Sequence, residues 1–150
     1  APPSAAPSAS SRVDQCVIGE WAATSLRWTD TDDTSLTTDN GGILRLRADG
    51  TGEVDYGSGI TMKGKLSGKT VELMLIGRMS FSFETANQTF TFSNVQADAR
   101  MVMFQSGRML ANERIPADEM TPEKYTCTGD KLDSTSTSEG GTEDSAFRRR

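Results

Sequence analysis

The stretch "GITMKGKLSGKTVELML" (59–75) alternates apolar and polar residues on both sides of a Ser-Gly pair. In an extended chain successive side chains point to opposite faces, so alternation of period two marks a half-buried strand. A two-residue turn at Ser67-Gly68 sets Met62 opposite Leu73 and Ile60 opposite Leu75. The same register brings Lys63 across from Glu72 on the other face, where opposite charges attract. Both faces agree, and the stretch reads as a β-hairpin.

The sequence on either side repeats the pattern. In "GILRLRADGTGEVDY" (42–56) a two-residue Asp49-Gly50 turn would pair Leu46 with Glu53 and mix the faces. A three-residue loop, Ala48-Asp49-Gly50, instead pairs Leu44 with Val54 and Arg45 with Glu53, with Gly50 taking the left-handed position. In "SFSFETANQTFTFS" (80–93) an even-length loop centred on Ala86-Asn87 pairs Phe83 with Phe90 and Phe81 with Phe92. Four of the six phenylalanines then share one face. Further strands are expected at "VQADARMVMFQ" (95–105), "RMLANERI" (108–115) and "KYTCTGDKL" (124–132). Between the last two, "PADEMTPE" (116–123) reads as a loop with one helical turn. With the segment around Trp21, this makes an all-β antiparallel up-and-down meander of about 8–9 strands, closed into a barrel or folded as a sandwich.

Composition sets the boundaries. Residues 1–13, mostly Ala, Pro and Ser, read as a disordered spacer. Residues 133–150, rich in Ser, Thr, Gly and acids with a basic tip, read as a disordered tail with too little apolar content to order itself. Three arginines at its end are expected to be a solvated end or a cloning scar. The folded domain is therefore placed at 14–132, enough chain for a single core. A net charge of −5 argues against nucleic-acid binding, which needs a basic face. No run is long and apolar enough to span a bilayer. A membrane is expected to be reached only through a segment absent from this chain, and the spacer would suit a domain held away from an envelope.

Cys16 opens the domain and Cys127 nearly closes it. An even count at opposite ends of a spacer-flanked domain reads as one disulfide in an oxidising compartment, the alternative being two buried thiols. The residues before Cys16 do not read as a lipidation signal. With no histidine, two cysteines supply only half a tetrahedral metal shell, so no metal is expected.

Gly19-Glu20-Trp21, followed by the meander, resembles the Gly-x-Trp start of lipocalins and other calycin-type barrels. More narrowly, "GEW", "LRADGTGEVDY" and "YTCTGDKL" are similar to small lipocalin-like domains of secreted or membrane-anchored actinobacterial proteins. The resemblance implies that Trp21 packs across the closed end of a barrel against an arginine from a late strand, with Arg108 and Arg114 as the candidates. Cys16 would then tie the first strand to the last. The chain lacks the late helix of lipocalins, which leaves a sandwich or an avidin-like barrel open.

Candidate chemistry is sparse. The absence of histidine removes Ser-His-Asp and Cys-His catalysis. A carboxylate pair needs two acids facing one another across a cleft, and the acids here are expected mainly on outward faces or in loops. Asp30, Asp32 and Asp33 in "WTDTDDTS" could hold calcium but lack the EF-hand glycine and distal glutamate, so a solvated loop is the expectation. The glycines of "RADGTGE" are explained by the hairpin without a phosphate. Asn87-Gln88-Thr89 fits a glycosylation sequon, relevant to a eukaryotic source alone. The apolar group Phe81, Phe83, Phe90, Phe92, Met101 and Met103 could line a cavity for a hydrophobic ligand or could simply be packed core. The expectation is a non-enzymatic, extracytoplasmic or cell-surface module without a cofactor, binding a small hydrophobic molecule or an envelope protein. A structural or sensory ectodomain with a filled barrel is the alternative.

Overall fold

The computed structural model describes residues 13–30, 34–116, 121–138 and 141–150. A short 3-10 turn, Gln15–Val17, precedes ten strands. These are β1 (Gly19–Asp30), β2 (Thr34–Thr38), β3 (Ile43–Leu46), β4 (Thr51–Leu66), β5 (Lys69–Ala86), β6 (Thr89–Gln105), β7 (Arg108–Arg114), β8 (Glu123–Thr128), β9 (Lys131–Ser138) and β10 (Gly141–Arg149). All pairings are antiparallel, and β10 pairs back onto β1 from Trp21↔Arg149 to Thr29↔Thr142. Hydrogen bonds therefore run around a barrel-like ring of β1, β2, β4, β5, β6, β8, β9 and β10.

Two positions in the ring are shared. β2 and β3 together fill the place between β1 and β4, β2 against the end of β4 and β3 against its beginning. Between them, Gly41 donates to the Ala23 carbonyl and Ala23 donates to that of Gly42, which carries the ladder across the break. On the far side, β6 meets β8 at Thr89↔Lys124 and Phe90↔Glu123, and pairs β7 along its other half. β7 lies off the ring and exposes Met109 and Leu110, at 54% and 49%.

The expected hairpin at 59–75 has the anticipated register: Ile60↔Leu75, Met62↔Leu73 and Lys63↔Glu72. So has the first hairpin, with Leu44↔Val54 and Arg45↔Glu53 around a loop in which Gly50 has φ +87°. On the outer face Arg45 ties this hairpin to β1, its guanidinium lying 2.9 Å from Glu20, 3.1 Å from Glu53 and 3.3 Å from Asp55. The third hairpin is displaced by two residues. Its turn is Asn87-Gln88, both left-handed, so Phe83 faces Phe92 and Thr85 faces Phe90. A shift of two preserves the face, because side chains alternate with period two. The four phenylalanines still meet, with Phe81–Phe92 centroids 5.1 Å and Phe83–Phe90 centroids 6.0 Å apart.

Two expectations are overturned by β8, β9 and β10. "KYTCTGDKL" is not one strand but most of a hairpin, turning at Gly129-Asp130. The segment 133–150, expected as a disordered tail, supplies most of β9 and all of β10. Its order comes from ladders on both sides of β10, toward β9 and toward β1, rather than from a large apolar content. At the other terminus Val13, assigned to the spacer, is buried in the core, while 1–12 lie outside the described residues. The helical turn expected within 116–123 also falls largely outside them, at 117–120.

The core has two parts. One holds Val13, Val17, Trp21, Leu46, Phe81, Phe83, Phe90, Tyr125 and Leu132. The other holds Ala23, Leu26, Leu36, Ile60, Met62, Val71 and Leu73. The long strands β4 and β5 serve both, with bulges in their pairing around Gly57 that re-aim β4 between the two halves.

Candidate functional site

One end of the ring is plugged. The 3-10 turn lies against it, capped by Asp14, whose carboxylate accepts from the Cys16 amide. The Cys16–Cys127 disulfide fixes that turn to β8. Trp21 is fully buried, and its indole N–H donates to the Val17 carbonyl at 2.8 Å. The arginine stacked on Trp21 is neither Arg108 nor Arg114, which lie on β7 away from this end. It is Arg149, its guanidinium 4.2 Å from the ring centroid. Arg149 also donates to the carbonyls of Ile18 at 2.8 Å, Cys16 at 2.7 Å and Gly129 at 3.2 Å. The arginine run expected to be a solvated end or scar thus includes the clamp of the plug. Gly19 leaves room for it: a β-carbon there would sit 2.6 Å from an Arg149 nitrogen.

Above the plug the phenylalanines form a floor. Tyr125 meets Phe90 edge-on at 4.4 Å and donates its hydroxyl to Asp14 at 2.8 Å. Burial and that carboxylate push the Tyr125 phenol up to about 12. Over this floor lie two adjoining cavities of about 90 and 400 Å³. Phe81, Phe90 and Phe92 line the smaller, Met101 and Met103 the larger, and Phe83 lines neither, being packed into the floor. The group singled out from the sequence is therefore divided between floor and wall rather than gathered around one space. Met62, Met79 and Trp28 join several leucines in the apolar wall of the larger cavity.

The waist shared by the two cavities carries groups that sequence reasoning placed elsewhere. Tyr56 from β4, Glu123 from β8 and Glu143 from β10 line both spaces. These two are exceptions to the expectation that the acids lie mainly on outward faces or in loops. On β8, Glu123 has the same parity as buried Tyr125; on β10, Glu143 has the parity of Ser145 and Phe147, which also line the smaller cavity. That alternation was the available signal. Glu143 pairs with Ser136, and Lys124, next to Glu123, pairs with Thr135, so the two carboxylates flank β9 from either side.

The environment resists their ionisation. Enclosure by the wall, and then the charge of Glu143, push the Glu123 carboxyl up to about 7, against a hydrogen bond with Ser134. Glu143 is exposed where it opens onto the cavity, and its carboxyl is raised by desolvation among the surrounding strands and then by Asp144. The Tyr56 phenol is raised by burial and by both glutamates. No lysine or arginine is among the described residues lining either cavity. The arrangement can hold a proton or a cation in a space otherwise lined by apolar side chains and the hydroxyls of Thr121, Ser134, Ser136 and Ser145.

Among the described residues no group of three or more His, Cys, Asp or Glu is placed to hold a metal. Asp30 ends β1, and Asp32 and Asp33 lie outside the described residues. No helix among the described residues is long and apolar enough to cross a membrane. Comparison with protein-family models, with curated proteins and with solved structures finds no match to this chain.

Proposed function

We propose that this is a non-enzymatic, extracytoplasmic binding module of lipocalin-like build, holding a small apolar ligand inside the ring. The observation that carries the reading is the methionine-walled space of about 400 Å³ above a plugged floor. That volume falls in the range of small-molecule sites, and methionine adapts its shape to an apolar guest. The tryptophan–arginine closure of one end is the arrangement that the lipocalin resemblance implies, with Arg149 in the arginine's place. The disulfide is consistent with an oxidising compartment and supports placing the module outside the cytoplasm.

A second reading, attachment to an envelope protein, is favoured by β7. Its outer edge is unpaired among the described residues, carries exposed Met109 and Leu110, and could accept an extended segment of a partner by strand addition. A purely structural ectodomain with a filled interior fits the cavity less well.

Native mass spectrometry of the protein purified from its own organism tests the primary reading. A small-molecule adduct that partitions into organic solvent is the expected result. A bare mass, together with no uptake of a fluorescent apolar dye that wild-type ligand could displace, would overturn it.

A further inference from the structure

We infer that the ligand of this cavity is an amphipathic amine, its ammonium group held between Glu123 and Glu143 while its apolar body lies along the methionine wall. The inference rests on the reading of the cavity as a binding site and names the chemistry it selects.

Glu123 is half-buried and Glu143 exposed, and both border the same cavity, where two carboxylates repel each other unless a cation or several hydrogen-bond donors lie beside them. Here the wall supplies neither in full. Glu123 has the Ser134 hydroxyl, and among the described residues Glu143 has no side-chain hydrogen bond. The Tyr56 hydroxyl, on the opposite part of the waist, also lacks a hydrogen-bond partner among the described residues. The three groups converge on a space large enough for a guest, from strands β4, β8 and β10. A protonated amine offers three donors and one positive charge, which two carboxylates and a phenol oxygen can receive. The faces of Tyr56 and Trp28 in the same lining suit a cation beside aromatic rings. Met62, Met79, Met101 and Met103, with the leucines of the same wall, accept an alkyl or aryl body. A fatty acid fits less well, since its carboxylate would be a third negative charge at the waist.

Octylamine, octanol and octanoate, which share a chain and differ in the head group, separate the possibilities by titration calorimetry at pH 8 in moderate salt. Octylamine is expected to bind at least about tenfold more tightly than octanol, the range for a hydrogen bond to a charged group. In the Glu123→Gln, Glu143→Gln double variant that preference should disappear while octanol binding persists, which also reports that the variant has folded. Glu72→Gln, on the outer face opposite Lys63, removes a charge outside the cavity and should leave the preference intact. Equal binding of octylamine and octanol, or tightest binding of octanoate, would overturn the amine and leave the cavity as a binding site. Failure of all three to bind would overturn both.

Discussion

Glu123 ties the chemistry of the waist to the stability of the fold. Its carboxyl is raised from the ordinary 4.5 to about 7 by enclosure and by Glu143. Between those values the folded chain keeps a proton that the unfolded chain releases, so the associated stability is present below about pH 4.5 and is lost as pH rises through 7. Glu143, which faces it, is raised as well and acts in the same direction, while Tyr56, also raised, acts only above its ordinary value of 10. Glu53 and Asp55 act oppositely but in another window. The Arg47 hydrogen bond holds Glu53 below its usual range, and the Gly57 amide does so for Asp55, so their contribution is lost when the solution is acidified below about pH 4. The ligand-free protein is therefore expected to melt at a higher temperature at pH 5 than at pH 8. Glu123→Gln should flatten that difference, as scanning calorimetry across the pH range would show; a midpoint rising from pH 5 to pH 8 would contradict the placement. The inward parity of Glu123 could have been read from Tyr125 two residues on. Glu143 was harder to see, because the segment around it has almost no large apolar residues to fix a face.

At the scale of elements, the hairpins were legible and the closing strands were not. A hairpin carries its own test of register, since both faces must agree across a short turn, and 59–75 passes it unaided. The third hairpin shows the limit of that test: a slip of two residues satisfies the same face, so Asn87-Gln88 and Ala86-Asn87 could not be told apart by phenylalanine pairing. β9 and β10 escaped for another reason. Their inward residues include Ser134, Ser145 and Glu143, which border cavities instead of filling a core, so composition resembles that of a tail. The clamp at the end of β10 is testable. Lysine at 149 keeps the charge but cannot spread a planar fork over three carbonyls and a ring. Arg149→Lys should cost about 2 kcal/mol in urea unfolding. Gly19→Ala displaces the same guanidinium and also strains a backbone held at φ +142°, so the double variant should cost less than the sum of the two, with the strain alone carried over in full. Full additivity of the two would contradict the clamp.

For the whole molecule the ring is the unit of stability. The disulfide closes a loop with a sequence separation of 111, a constraint worth about 4–5 kcal/mol in the chain-entropy picture. It does not replace the seam between β1 and β10. A chain ending at residue 132, the boundary that composition suggested, keeps both cysteines and every large phenylalanine of the floor. It would lack β10, most of β9, the Arg149 clamp and one wall of the cavity. Such a chain is expected to lose the dispersed amide spectrum of a folded β-protein, whereas a well-dispersed spectrum would show the tail to be dispensable. The seam also sets the order of events during synthesis. Because the strand that completes the ring is the last of the ten to leave the ribosome, β1 must wait with one edge bare while the rest is made. Joining Trp21 to Arg149 spans nearly the whole described chain, and such distant partners make for slow folding. A chain of this kind has reason to stay in the care of chaperones until β10 arrives, and its vulnerable interval is the one before closure.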